Sequence, residues 1–251
     1  MSQFIQILYR GSKVLFYTGL FHFILALLFL IFMGIDSRMI NQESIWLKPF
    51  RFAISIFLFT WTFAWFTHFI QKNKTTIAVL NILIALCMWI EILLISMQSF
   101  RGVGSHFNVE TPFDGTVFSI MGAVIGFNAV VVGIWFVLFV FFDSGGGKYR
   151  TSIIWGLFLF LLGNLSGYLI IRYGWALPAT EMADKLAVVG WKSGLRDLRI
   201  PHAIGLHAIQ VLPLTMWGIF KLKLNAKFIH GVGILYLSAY LFSLLMALEL
   251  Y

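Results

Sequence analysis

Lys48, Arg51 and Ser55 fall at steps of three and four, Glu91 stands one heptad before Gln98, and His207 stands three residues before Gln210. Side chains at these spacings share one face of a helix. The surrounding chain is apolar, and ionisable groups in lipid are costly enough to mark a functional site by default. The chemistry they suit is recognition of an anion. Arg offers a planar fork with parallel donors for a carboxylate or phosphate, and Lys offers a point charge. Two other segments carry the same residue types: Gln98-Ser-Phe-Arg101-Gly-Val-Gly-Ser105-His106-Phe-Asn108 and Arg196-Asp197-Leu-Arg199-Ile-Pro201-His202. The expected ligand-binding set is Lys48, Arg51, Glu91, Gln98, Arg101, His106, Asn108, Asn164, Asp197, Arg199, His202, His207 and Gln210. The expected activity is binding, sensing or transport of a small anionic or lipid-head-group ligand in a polar cavity.

Other chemistries compete for some of these residues. His106, His202 and His207 offer three nitrogens for zinc, with Asp197, Glu91 or water as the fourth ligand of a membrane hydrolase. Against it, His202 and His207 are five apart, about 140° around a helix, where paired ligands sit three or four apart. A b-type haem needs two imidazoles at one depth, and His22 and His207 miss each other by about 9 Å at 1.5 Å per residue. His22 reads better as a packing histidine beside aromatic rings. Ser166, in Gly163-Asn-Leu-Ser166-Gly167, reads as part of a small-residue packing motif and not as a nucleophile. Gly145-Gly146-Gly147-Lys148 lacks the spacing of a phosphate-binding loop and reads as a linker. No Lys lies in the middle of the last apolar run to form a Schiff base. The purely structural alternative is an internal Arg51–Glu91 ion pair, with the loop arginines paired to Glu110, Asp114, Asp184 and Asp197.

The elements that must hold these residues follow from composition. Of 251 residues, 60% are hydrophobic and 11% are charged. A soluble domain carries about a quarter charged residues, so the protein belongs in a lipid bilayer. Apolar runs at about 14–35, 46–71, 75–97, 116–142, 151–173, 201–221 and 227–250 are each long enough to span it. They predict an all-α, seven-helix bundle forming one membrane domain over 1–251. Its net charge of +8 then reads as membrane topology and not as affinity for nucleic acid. The one Cys, Cys87, lies within an apolar run, which excludes disulfides.

Charge placement predicts a cytoplasmic N-terminus and an outward C-terminus. The N-terminal segment and the short segments that follow the second, fourth and sixth spans carry Arg10, Lys13, Lys72, Lys74, Lys148, Arg150, Lys221, Lys223 and Lys227 with Asp143 as their one acid. The opposite segments are longer and mix nine bases, six of them Arg, with eight acids. The longest, 174–200, is expected to hold a short helix starting near Thr180. Gly19-Leu20-Phe21 and Gly156-Leu157-Phe158 are similar, and Lys48-Pro49 and Arg199-Ile200-Pro201 open the second and sixth spans. Two parallel three-helix units joined by one inverting helix would produce that pattern.

Counted at about 1.5 Å per residue, Arg51, Glu91 and His207 share a level about 8–9 Å below the outer surface. Gly122 with Gly126, and Gly163 with Gly167, are placed to let neighbouring helices approach. The blocks Arg101-Gly-x-x-Ser105-His106-Phe107-Asn108 and Asp197-Leu198-Arg199-x-Pro201-His202-x-x-Gly205-Leu206-His207-Ala208-x-Gln210 resemble a family of uncharacterised bacterial multi-pass membrane proteins. The resemblance extends over most of the chain. It implies a seven-span protein of the bacterial cytoplasmic membrane and brings no function.

Overall fold

A computed structural model describes residues 2–40, 42–70, 72–142, 147–173 and 197–248. Helix accounts for 83% of it, in eight α-helices. A backbone crossing lipid must satisfy its own N–H and C=O groups, which a helix does within itself. Seven helices are long and apolar enough to span: α2 (Lys13–Ile35), α3 (Leu47–His68), α4 (Lys74–Phe100), α5 (Pro112–Phe141), α6 (Arg150–Tyr173), α7 (Arg199–Lys221) and α8 (Phe228–Leu248). All seven lie within a few residues of the expected apolar runs. Two features lie outside those expectations. A short amphipathic helix, α1 (Gln3–Gly11), precedes α2, and an antiparallel ribbon of β1 (Met39–Ile40) and β2 (Glu43–Ser44) joins α2 to α3. The expected helix near Thr180 and the Gly-rich linker at 144–146 lie outside the described residues.

The chain divides into two compact units, Met1–Val131 and Val132–Tyr251, with the boundary inside α5. In the first, α2 packs most extensively on α3, and α3 and α2 each make smaller contacts with α4. Helix α1 buries Leu8 and brings Gly11 against the Ala64 carbonyl of α3. Ile95 of α4 packs with Val117 and Met121 of α5. Helix α5 begins with Pro112, whose missing N–H is no loss in a first turn. There the Thr111 hydroxyl accepts from the Asp114 amide (3.1 Å) and donates to the Asp114 carboxylate (2.6 Å).

In the second unit α6 packs most extensively on α7, α7 less on α8, and α6 least on α8. The α6–α7 contact is backbone on backbone, because Gly163 and Gly205 face each other and a Cβ on either would collide with the other helix. Leu159, Ala208, Leu212 and Tyr240 form the core below this contact. The expected role of Gly163 and Gly167 therefore holds: Gly167 lies against the His202 ring. Gly122 and Gly126 do not share it, since a Cβ on either would meet nothing within 4 Å. Arg150 closes α5 by donating to the Phe139 and Val140 carbonyls (both 3.1 Å), as a base at a helix C-terminus is suited to do.

Candidate functional site

The start of α3, the end of α4, the ribbon and the loop 101–111 carry most of the polar residues of the first unit. Two of the charged pairs near them are closed and structural. Asp36 accepts from the Arg38 guanidinium (2.8 and 3.0 Å) and from the Trp46 indole N–H (2.8 Å). Those bonds hold its carboxyl well below the usual carboxylate range and raise Arg38 in turn. Arg38 also donates to the Phe100 carbonyl, tying the ribbon to the end of α4. Asp114 is 2% exposed and accepts from Gln98 (2.9 Å), Arg101 (2.5 Å) and Thr111. Arg101 in turn donates to Gln98 Oε1 and lies over the Phe113 ring. Gln98 and Arg101, both expected to bind ligand, thus hold the start of α5 to the end of α4. Asn108 closes its own loop, donating to the Gly104 carbonyl and accepting from the Glu110 amide (both 3.1 Å).

Glu91 differs from all of these. It is 1% exposed, and neither carboxylate oxygen has a hydrogen-bond partner. The expected Arg51–Glu91 pair does not form. Arg51 donates instead to Glu43 of β2 (3.3 Å), an acid that the ribbon, unforeseen in the sequence, carries to it. The charge acting on Glu91 is the Lys48 ammonium, one helical turn before Arg51. Lys48 also acts on His106. Burial first, and the Lys48 charge second, push the His106 imidazole well below its ordinary range, which keeps it neutral at pH 7. Its ring packs on Phe52 and Phe118 and its Nδ1 lies 3.1 Å from the Ser105 hydroxyl. Lys48, Glu91 and His106 are therefore one electrostatic group, with Arg51 and Glu43 beside it. Ser55 is exposed and donates to the Arg51 carbonyl.

The expected residues of the second unit have other occupations. His202 Nδ1 donates to the Gly163 carbonyl (2.7 Å), while His207 is exposed on another face of α7. Asn164 donates to the Phe160 carbonyl one turn earlier (2.9 Å). Asp197 accepts from the Arg199 amide and guanidinium (both 2.9 Å), the same Asp-x-Arg arrangement as Asp36 and Arg38. That repeated Asp-x-Arg spacing is a signal, unused in the expectations from sequence, by which both pairs could have been found. Gln210 is partly buried on α7. Ser166, taken as a packing residue, lies 2.7 Å from the Tyr240 hydroxyl, which donates to the Leu162 carbonyl.

Zinc finds no fit here. Among the described residues no three His, Cys, Asp or Glu side chains are placed to hold a metal ion together. The five-residue step between His202 and His207 sends one imidazole to α6 and leaves the other exposed. His22 is a packing residue as expected: fully buried, it donates to the Thr18 carbonyl (2.7 Å) and lies between Phe21 and Trp89. Compared with known proteins, the chain matches no family model, no curated protein and no solved structure.

Proposed function

We propose that this protein binds a small anionic molecule or lipid head group at the Lys48 end of its first unit, as a sensor or transporter of that ligand. The observation that carries the reading is Glu91: a fully buried carboxylate without a hydrogen bond, balanced only through space by Lys48. A purely structural pair would be expected to close, as Asp114 and Asp36 do, because a buried unpaired charge is destabilising. Lys48 and the half-exposed Arg51 supply the positive charge for the ligand, and neutral His106 adds a hydrogen-bonding group. Arg101 and Arg199 are engaged by Asp114 and Asp197, and Arg51 by Glu43, which leaves Lys48 as the base at the centre of the anion site with Arg51 beside it.

The architecture that suits this reading is N-in and C-out in a bacterial cytoplasmic membrane, with two parallel three-helix units joined by α5. What supports the repeat is the order of helix contacts, the same within each unit, and the placement of Gly19 and Gly156 against the following helix in each. The short segments at the other ends of the helices, whose charges are Lys and Arg with Asp143 as the one acid, support the orientation. Both parts are open to direct test. Purified protein in nanodiscs is titrated with sulfate, and separately reconstituted with phosphatidylglycerol. Wild type is expected to bind one of the two probes and Lys48→Ala to lose at least tenfold in affinity; equal binding by both proteins leaves a structural role only. For orientation, a Cys introduced at Gly104 in a Cys87→Ser background is expected to react with a membrane-impermeant maleimide in intact cells.

A further inference from the structure

The elements of the first unit around Glu91 carry few titratable or charged groups toward its end of the helices. From α3 come Lys48, which acts on it directly, and Arg51, which is held by Glu43 of the ribbon. The loop supplies His106, which is neutral. On α4 itself Cys87 lies one turn away and feels the Glu91 charge. Helix α5 offers only Asp114 in the first unit, closed by Gln98, Arg101 and Thr111. Helix α2 offers His22, engaged with Thr18. No donor reaches either oxygen of Glu91.

An ionised carboxylate in such a place has lost its hydration and gains only the field of one ammonium group; the protonated acid loses far less. With no hydrogen bond to fix the carboxyl in either form, the group is suited to take up and release a proton. A metal cation is a poorer occupant, since it needs several oxygen ligands and would lie within the field of Lys48.

We propose that Glu91 is a proton-binding site and that an anion bound at Lys48 and Arg51 is taken up together with a proton on Glu91. The inference rests on the anion-site reading above. Its sign follows from charge. An anion on Lys48 cancels the field that keeps Glu91 ionised, so a proton from solvent adds to a Glu91 oxygen. Linkage makes the effect mutual: protonating Glu91 removes a negative charge beside Lys48 and tightens the anion. The charges of anion and proton offset each other, which suits passage through lipid.

The test uses the full chain in nanodiscs, with sulfate as probe because its charge is constant between pH 5 and pH 8. Infrared difference spectra are expected to show a carboxylic-acid carbonyl band that grows on acidification and on adding sulfate. Glu91→Gln should lack it, and Lys48→Met should show it at higher pH, since losing the ammonium favours the neutral acid. Sulfate affinity should rise by roughly tenfold from pH 8 to pH 5 in wild type, a usual size for coupling between sites. In Glu91→Gln it should stay at the tighter value at both pH values, while His106→Gln keeps the pH dependence. Absence of a Glu91-dependent band at every pH overturns the proton site, and a pH-independent sulfate affinity in wild type overturns the coupling. A Glu91-dependent band without any sulfate binding defeats the anion-site reading and the coupling, and leaves the proton site standing.

Discussion

In the second unit, three polar side chains tie helices together by ending on backbone. His202 reaches the Gly163 carbonyl, Tyr240 the Leu162 carbonyl and Tyr236 the Ile204 carbonyl. In the first unit, Asp36 and Asp114 are enclosed by donors while Glu91, as buried as Asp114, has none. The contrast teaches where polarity holds a membrane fold together and where it does not. A hydrogen bond to a helix carbonyl fixes two helices without introducing charge, whereas an unbonded buried carboxylate contributes no such tie.

The largest effect expected of that contrast lies at the backbone contact. Gly163→Leu or Gly205→Leu should prevent α6 and α7 from meeting, because the added side chain would occupy space filled by the facing backbone. Loss of folded protein by size-exclusion chromatography is the expected result, while Gly122→Leu, facing open space, should be tolerated. Next come the two buried carboxylates. Asp114→Asn should clearly lower the melting temperature, since Gln98, Arg101 and Thr111 all lose their charged acceptor. Glu91→Gln should leave the melting temperature unchanged or raise it; a fall as large as that of Asp114→Asn would remove the distinction between the two.

Smaller again is Tyr240→Phe, which removes the two interhelical hydrogen bonds to Leu162 and Ser166, together worth about 1–2 kcal/mol, and should lower the melting temperature by about 2–8 °C. The smallest expected effect is a pH dependence. His106 is held below its ordinary range when folded, so below about pH 6.5 the unfolded chain takes up a proton that the folded one does not. Stability should therefore fall as pH drops from about 7 to 5, and thermal melts of His106→Gln should show a shallower slope.

The spans were legible because twenty apolar residues in a row have few alternatives in lipid. Which way each helix turned was not. Depth counting put Arg51, Glu91 and His207 on one level, yet α7 buries Gly205, Ala208, Ile209 and Leu212, and that leaves His207 on an exposed face. A helix that is apolar all round carries little information about its rotation. The partners of Arg51 and Arg38 were missed for another reason. The ribbon that delivers Glu43 and orders Asp36 has strands of two residues each, too short for alternation to reveal. The Arg101–Asp114 and Arg199–Asp197 pairs, by contrast, fall within the structural alternative of loop arginines paired to nearby acids, although both arginines were expected to bind ligand.

The meeting of Gly163 and Gly205 also has a mechanical meaning. With no side-chain layer between them, α6 and α7 have nothing compressible to slide on, and twisting either about its axis would drive a neighbouring side chain into the other. They should swing as one stiff beam. Any movement within the second unit is then carried at the looser seams along α8, where the contacts are fewer.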